Sequence, residues 1–332
     1  MVVLPATFTG SPRYMEQNYQ DAMTMVRKYG KPDLFITMTC NPNWPEIKEN
    51  LKPGQEVTDR PDIAVRVFKQ KVDELVHLLN KGKIFGKVRA YVYTIEFQKR
   101  GLPHVHLLLT LESDHKLRNS DSVDAFISAE IPDKNEFPVL YEKAVKHMLH
   151  GPCGPRCEKE GKCSKKFPKK YLEKTDINVD GYPNYKRSNN GVTVEKSGHT
   201  FDNRHVVPYN PVLLMIMDCH INVEVVASIK SIKYAFKYIF KGHDRAAIKI
   251  DDQNLILDYD ECNSFSDNRY IGVYEACWRL LEFPIHGRSH SILRLPIHLP
   301  NADCNLEIDA NDENALDEAQ KRKQMLNVRI KK

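Results

Sequence analysis

The sequence predicts an α+β fold built on an antiparallel sheet. Amphipathic segments that predict helices are mixed with short β-rich runs, without the strict alternation of a parallel α/β fold. The clearest signal is residues 87–111, where two strand-like runs flank the turn-like stretch "KRGLP" and so predict an antiparallel hairpin. With 332 residues, 41% of them hydrophobic, the chain can bury a substantial core.

In the first half of the chain, the spacing of apolar residues and the positions of Gly and Pro predict the helices and strands. Residues 12–30 predict a helix that ends at Gly30, with Pro32 just beyond it. Residues 33–40 predict a strand closed by the turn-like "NPNWP". Residues 61–80 begin with Pro and repeat apolar residues at helical spacing, which predicts an amphipathic helix. A further helix is expected at residues 137–149.

The second half contains an irregular stretch between regular elements. Residues 150–200 are lysine-rich, bear cysteines and show no core pattern. Strands are predicted at 220–226 and 291–299, and helices at 228–244, capped by Gly242, and at 271–283. Trp44 and Trp278 are expected to be packing residues, and His220 and His286 ordinary surface or core polar residues.

Composition excludes some classes of protein. The sequence has no run of 18 apolar residues, so we expect no membrane span. Its start lacks the basic and apolar regions of a signal peptide, and the eight cysteines are therefore expected to be reduced. The net charge of +5 is compatible with a polyanionic partner.

His104 and His106 are two residues apart in a predicted strand, so their imidazoles share a face. A hard divalent ion such as Mg²⁺ or Mn²⁺ also needs an oxygen ligand. Across the hairpin, Glu96 could complete such a site, with Gln98 as the alternative, and leave positions open for a phosphate and water. The competing interpretation is that both histidines are polar-face residues of a half-exposed strand.

Residues 228–244 carry a second constellation. Tyr234 and Tyr238 are four residues apart and share one face of the predicted helix, beside Lys230, Lys237 and Lys241. Neighbouring cations favour a phenolate and attract a phosphodiester. The alternative is a surface helix whose tyrosines pack against neighbouring loops.

The cysteine cluster predicts a metal site in the irregular stretch. His150, Cys153, Cys157 and Cys163 supply four soft ligands within fourteen residues, which suits closed tetrahedral zinc, and His147 could replace His150. The alternative is free thiols in a loop.

The same stretch is a candidate nucleic-acid surface. Residues 156–187 contain ten Lys or Arg against five Asp or Glu, with tyrosines interleaved. Cations with aromatic rings suit single-stranded DNA, through phosphate contacts and base stacking. The side chains we expect to contact DNA are Lys165, Lys166, Lys169 and Lys170, together with Lys230 of the predicted tyrosine helix; the alternative for this stretch is a solvated lysine-rich loop.

Together these motifs resemble the HUH endonucleases, and more closely the Rep nuclease domain of Helitron transposases, often labelled the Helitron helicase-like domain. The resemblance covers most of residues 10–305. It is carried by "FITMTCNPNWPEI", "EFQKRGLPHVHLLL", "HGPCG…GKCSKKFPK" and "YAFKYIFKGHDRA", in the family's order.

The resemblance implies a fold and a chemistry. The fold would be an HUH or Rep-type central antiparallel sheet flanked by helices, with a zinc-binding insertion. His104, His106 and Glu96 would hold Mg²⁺ or Mn²⁺, and Tyr234 or Tyr238 would cleave single-stranded DNA at transposon ends as a 5′-phosphotyrosine. Lys237 and Lys241 would bind flanking phosphates or stabilise the phenolate. The family's eukaryotic hosts imply action in the nucleus.

One departure from the family bounds the prediction. Full-length members continue into a helicase, but no Walker A sequence occurs here, so no helicase or ATPase activity is expected of this chain. We expect an N-terminal helical segment at 1–30, a nuclease domain at 31–300 with its insertion at about 147–200, and a charged tail or linker at 301–332. The alternative function is a catalytically decayed, single-stranded DNA-binding derivative.

Overall fold

The computed structural model describes residues 4–8, 11–97, 101–153, 157–159, 162–177, 183–227 and 271–293. The chain divides into two compact units, residues 1–291 and residues 292–332. The first unit is described below; of the second, only residues 292 and 293 are among the described residues, and neither lies in a helix or strand.

A five-stranded antiparallel sheet forms the centre of the first unit. Its strands lie in the order β8-β1-β3-β2-β9. Their bounds are Leu34–Thr39 for β1, Val88–Phe97 for β2, Pro103–Leu111 for β3, Ile221–Val225 for β8 and His286–Arg288 for β9. The predicted α+β class, with its central antiparallel sheet and flanking helices, is confirmed.

The helices of the described residues lie around this sheet. They are α1 (Pro12–Tyr29), α2 (Pro45–Lys48), α3 (Pro61–Asn80), α4 (Ser120–Phe126), α5 (Pro138–His147), α6 (Pro211–Met217) and α7 (Val273–Leu280). Proline in the first turn starts most of them, because its fixed φ suits that position. No helix in the described part of the chain is long and apolar enough to cross a membrane.

One face of the sheet is apolar and packs on α3 and α7. Val105, Leu107 and Leu109 of β3 are almost fully buried on this side, in one cluster with Phe68 of α3 and Trp278 of α7. Alternation along a strand places every second residue here. Trp278 and Trp44 are both fully buried, so their predicted packing role is confirmed.

The opposite face, which we call the histidine face, carries His104 and His106. Helix α1 covers the part of this face around Phe35 of β1 and Leu108 of β3, where Ala22 of α1 packs against both. Helix α1 therefore buries the end of this face away from His104. The two histidines lie beyond that apolar contact.

Short strands and loops build the insertion. It contains two small antiparallel hairpins. Strand β4 (Glu158–Lys159) pairs with β5 (Lys162–Cys163), and β6 (Val194–Lys196) pairs with β7 (His199–Phe201). The buried guanidinium of Arg187 donates to the carbonyls of Ala129 and Asn203, which ties the insertion to the body of the domain. Burial lowers the pKa of Arg187 to about 10.

One predicted strand differs in position from the strand in the structure. The edge strand beside β2 lies at His286–Arg288, before the predicted strand at 291–299. Within that stretch, residues 291–293 are not in a strand, and residues 294–299 lie outside the described residues. The strand at His286–Arg288 has only three residues, and "HGR" has no β-rich signature, so its pairing with β2 could not be recognised from the sequence.

The predicted helix at 228–244 also lies outside the described residues.

Candidate metal and nucleic-acid site

A carboxylate and an imidazole meet on the histidine face. Nε2 of His106 lies 2.7 Å from Oε2 of Glu96, and the two side chains are 7% and 13% exposed. In the sheet, Glu96 is opposite His104 and Thr94 is opposite His106, so the contact is diagonal. A low-dielectric setting strengthens such a charge-assisted pair.

His104 stands beside this pair. Its ring centroid is 4.6 Å from that of His106, and its Nδ1 lies 2.6 Å from Oγ1 of Thr39 on β1. Burial, followed by the neighbouring charges of His106 and His220, lowers the pKa of His104 to about 3. His104 is therefore neutral at physiological pH, and in the tautomer whose Nδ1–H donates to Thr39, Nε2 carries the lone pair that a metal needs.

The ring of His106 is fixed from behind. It stacks on Phe35 with centroids 5.7 Å apart and an angle of 3° between the planes. Phe35 in turn packs against Ala22 of α1. The apolar contact that holds α1 on the sheet therefore also orients one predicted metal ligand.

Glu96, His104 and His106 are donor types that a hard divalent cation can bind. Cis ligands about 2.1 Å from an octahedral ion lie about 3 Å apart, close to the Glu96–His106 separation. Two imidazoles and one carboxylate would leave further coordination positions open. Gln98, the alternative oxygen ligand, lies outside the described residues.

The insertion contains a tighter cluster. Nε2 of His150 lies 3.4, 3.6 and 3.2 Å from the sulfurs of Cys153, Cys157 and Cys163. The sulfur of Cys157 lies 3.7 Å from each of the other two sulfurs, and all four donor atoms lie within 4.8 Å of one another. Ligands at 2.0–2.3 Å from tetrahedral zinc would be separated by about 3.5–3.8 Å, so this cluster could hold a zinc ion.

The cysteine cluster is the one group of three or more His, Cys, Asp or Glu side chains in the described part of the chain whose ligand atoms lie close enough together to hold a metal ion. The sheet donors form a contacting pair with a third imidazole alongside, which is a looser arrangement. His147, the alternative zinc ligand, instead lies 3.4 Å from Asp218.

The electrostatics of the cluster divide its ligands: burial and the neighbouring sulfurs of Cys163 and Cys157 raise the pKa of Cys153 to about 12, whereas the pKa values of His150 and Cys163 are lowered. Burial, followed by the charges of Lys165 and Lys169, lowers the pKa of His150 to about 4, so its imidazole is neutral. Burial works against the thiolate of Cys163, but backbone N–H groups of Phe167 and Lys165 outweigh it and lower the pKa of Cys163. Zinc requires a neutral imidazole and thiolates.

Residues 150–170, which carry the cysteine cluster and which we call the zinc loop, contain two lysines whose charges act on the histidine face. The charge of Lys165 contributes to lowering the pKa of both His104 and His220. Lys165 and Lys169 also lie close enough to Glu224 to favour its charged form, although burial dominates and raises the pKa of Glu224. Lys165, Lys166 and Lys170 are exposed, whereas Lys169 is half-buried and donates to the carbonyl of Lys165.

Strand β8 adds polar residues that the sequence analysis did not assign to the site. Asn222 lies opposite Thr37 and Glu224 opposite Phe35, so both lie on the histidine face. The N–H of Thr39 donates to the carbonyl of His220, which places His220 in the row of His104. The signal was available, because residues 220, 222 and 224 are the polar positions of an alternating strand.

The predicted nucleophile segment cannot be placed against these groups. Tyr234, Tyr238, Lys230, Lys237 and Lys241 all lie outside the described residues. Their predicted roles stay predictions.

The first third of the chain matches a known family. Residues 1–109 match the model of the Helitron helicase-like domain at the N-terminus. The match ends inside β3 and includes Glu96, His104 and His106, so the predicted resemblance is confirmed for the part of the chain that carries the sheet site. It supports a role related to Helitron transposition. No curated protein matches the chain.

Proposed function

We propose that this protein is a metal-dependent endonuclease and strand transferase for single-stranded DNA at the ends of a Helitron-like transposon. The observation that carries the proposal is the contact of Glu96 with His106 beside His104, within the family match. These donor types suit Mg²⁺ or Mn²⁺. Action on transposon DNA in the nucleus is part of the same proposal.

Each group on the sheet has a defined task in this mechanism. Glu96, His104 and His106 would hold the ion, which supplies Lewis-acid stabilisation of charge on the scissile phosphate. The hydrogen bond with Thr39 orients the ring of His104, and stacking on Phe35 orients the ring of His106. The protein thus orients its ligands before the DNA arrives.

The covalent step would use the tyrosine segment. The phenolic oxygen of Tyr234 or Tyr238 gives up its proton and forms a bond to phosphorus, the bond from phosphorus to the 3′-oxygen breaks, and that oxygen takes up a proton. A 5′-phosphotyrosine and a free 3′-hydroxyl result. Attack by a 3′-hydroxyl on the phosphotyrosine reverses these bond changes and rejoins DNA.

The zinc loop would supply the backbone contacts. The charges of Lys165 and Lys169 act on Glu224 of β8, and that of Lys165 acts also on His104. An anionic strand crossing the histidine face would meet them next to the metal ligands. Lys166 and Lys170 are exposed in the same loop and would add to its positive charge.

The test is a covalent-adduct assay. Protein is incubated with labelled single-stranded oligonucleotides and Mn²⁺, and SDS-resistant protein–DNA adducts are measured. We expect an adduct that disappears in the double variant Tyr234→Phe/Tyr238→Phe and persists in Tyr141→Phe, a control in α5. DNA binding without any adduct, over a broad set of oligonucleotides, would instead indicate the decayed DNA-binding derivative.

A further inference from the structure

A polar cavity of about 280 Å³ opens between α1 and β9. Tyr14 and Asn18 of α1 and His286 and Arg288 of β9 line it, together with the apolar Val92 of β2. None of these residues belongs to the two metal sites. The cavity volume lies just below that of pockets for drug-sized ligands, so it suits a single planar ring system.

The cavity shares the histidine face with the metal ligands. Thr94 of β2 lies opposite His106 on one side and opposite His286 on the other. Strand spacing of about 4.8 Å places the backbone of His286 about 10 Å from that of His106. A ligand in the cavity is therefore a close neighbour of a phosphate at the sheet metal site.

The lining groups suit a flat, neutral, hydrogen-bonding ligand. The rings of Tyr14 and His286 meet edge to face, with centroids 5.6 Å apart, which provides an aromatic wall. Asn18 offers an amide, and asparagine and arginine are the side chains that most often read base edges. The Asn18 Nδ2–H already donates to the carbonyl of Tyr14 in its own helix.

Charge balance argues against a phosphate in this place. Nη1 of Arg288 lies 2.6 Å from Oδ2 of Asp21, whose side chain is only 4% exposed. The guanidinium charge is thus already compensated, which removes the net attraction for an anion. Its planar group still offers further N–H donors and a stacking surface.

We propose that this cavity binds one unpaired nucleobase of the DNA strand, next to the nucleotide whose phosphate lies at the metal site. The inference rests on the proposed function and adds to it a base-recognition pocket on the β9 side of the sheet. The strand would run from the zinc-loop lysines, past the metal ligands, to this pocket.

The test compares two labelled 12-nucleotide probes in EDTA, where no cleavage occurs. One is oligo-dT, and the other is a backbone of abasic sites with the same charge. Asn18→Trp fills the cavity, and Gln20→Trp, on an exposed position of α1, is the matched control. The measured quantity is the dissociation constant of the abasic probe divided by that of oligo-dT, which isolates the contribution of the bases.

Stacking is worth about 1–3 kcal/mol per base, so we expect Asn18→Trp to reduce this ratio by about 5- to 150-fold. Gln20→Trp should leave it unchanged. Equal ratios in wild type and in a folded Asn18→Trp variant would overturn the pocket while leaving the nuclease proposal standing. Asn18→Phe provides the same comparison if the larger ring prevents folding. Failure of the wild type to bind either probe would overturn both proposals.

Discussion

Oε2 of Glu96 and Nε2 of His106 lie 2.7 Å apart although their residues belong to different strands of the hairpin. The contact is made possible by the antiparallel register, which places Glu96 opposite His104 and one step from His106. A one-residue slip would move the carboxylate to the apolar face. The register of β2 on β3 therefore decides whether the carboxylate of Glu96 can meet the two histidines.

Replacing this carboxylate should weaken metal binding. We expect Glu96→Gln to reduce Mn²⁺ affinity by more than about tenfold, since even changes outside the ligand shell cost that much. Isothermal titration calorimetry of Mn²⁺ provides the measurement. Glu142→Gln, on an exposed position of α5, is the control. Unchanged Mn²⁺ affinity in Glu96→Gln would remove Glu96 from the proposed ligand set.

Thr39 tests the orientation of His104. Its hydroxyl lies 2.6 Å from Nδ1, and Thr39→Val keeps the shape of the side chain while removing that hydrogen bond. We expect about a tenfold loss of Mn²⁺ affinity, and near wild-type affinity in Thr39→Ser. Equal affinities in both variants would show that the hydroxyl does not orient the ligand.

Zinc should accompany the purified protein in a 1:1 ratio, because the four donors of the insertion match its geometry. We expect Cys163→Ser to lose the zinc, measured by mass spectrometry, and to lower Tm by about 5 °C or more, since metal binding contributes to folding stability. Cys277→Ser, a cysteine outside the cluster, should retain both properties. Zinc-free wild-type protein with an unchanged Tm would contradict the site.

The role of the zinc loop in DNA binding is measurable through salt dependence. Each lost phosphate contact should reduce the slope of log K against log salt by about 0.7 for a single strand. We expect this change for Lys165→Ala and no change for Lys48→Ala on α2, a helix on the other side of the sheet. Fluorescence anisotropy with oligo-dT at several salt concentrations provides the slopes. Identical slopes for the two variants would separate Lys165 from the DNA path.

Acid stability should depend on Asp202. Burial opposes its charge, but hydrogen bonds from Arg204 and Tyr171 prevail and lower its pKa to about 2. A lowered folded-state pKa stabilises the protein above the unfolded value of about 3.9, and this contribution is lost as the pH falls towards 2.

Asp202→Asn should therefore lower the free energy of unfolding by about 2 kcal/mol at pH 6 and have almost no effect near pH 2. Urea denaturation across this range provides the measurement. Asp73→Asn, at an exposed ion pair with Lys69, should have little effect at either pH. A pH-independent difference between Asp202→Asn and wild type would assign the stability to packing instead of charge.

Local sequence patterns were enough to predict much of the fold. The helices at 12–29 and 61–80 and the hairpin of β2 and β3 follow from apolar period, initial prolines and the turn. The zinc ligands also followed from spacing, because all four lie within fourteen residues and only a loop must bend to join them. Short edge elements such as His286–Arg288 carry no such signal, since their pairing partner determines them.

The sequence by itself determined which residue types share a face: alternation placed His104 with His106, and the turn brought Glu96 beside them. Only the tertiary structure decided what surrounds those ligands. The hydroxyl of Thr39 and the ring of Phe35 come from β1, and Asn222 and Glu224 come from β8, strands that pair across long stretches of chain. Period and spacing act over a few residues, whereas strand order and register result from burying one common core, so these neighbours could not be read from local patterns.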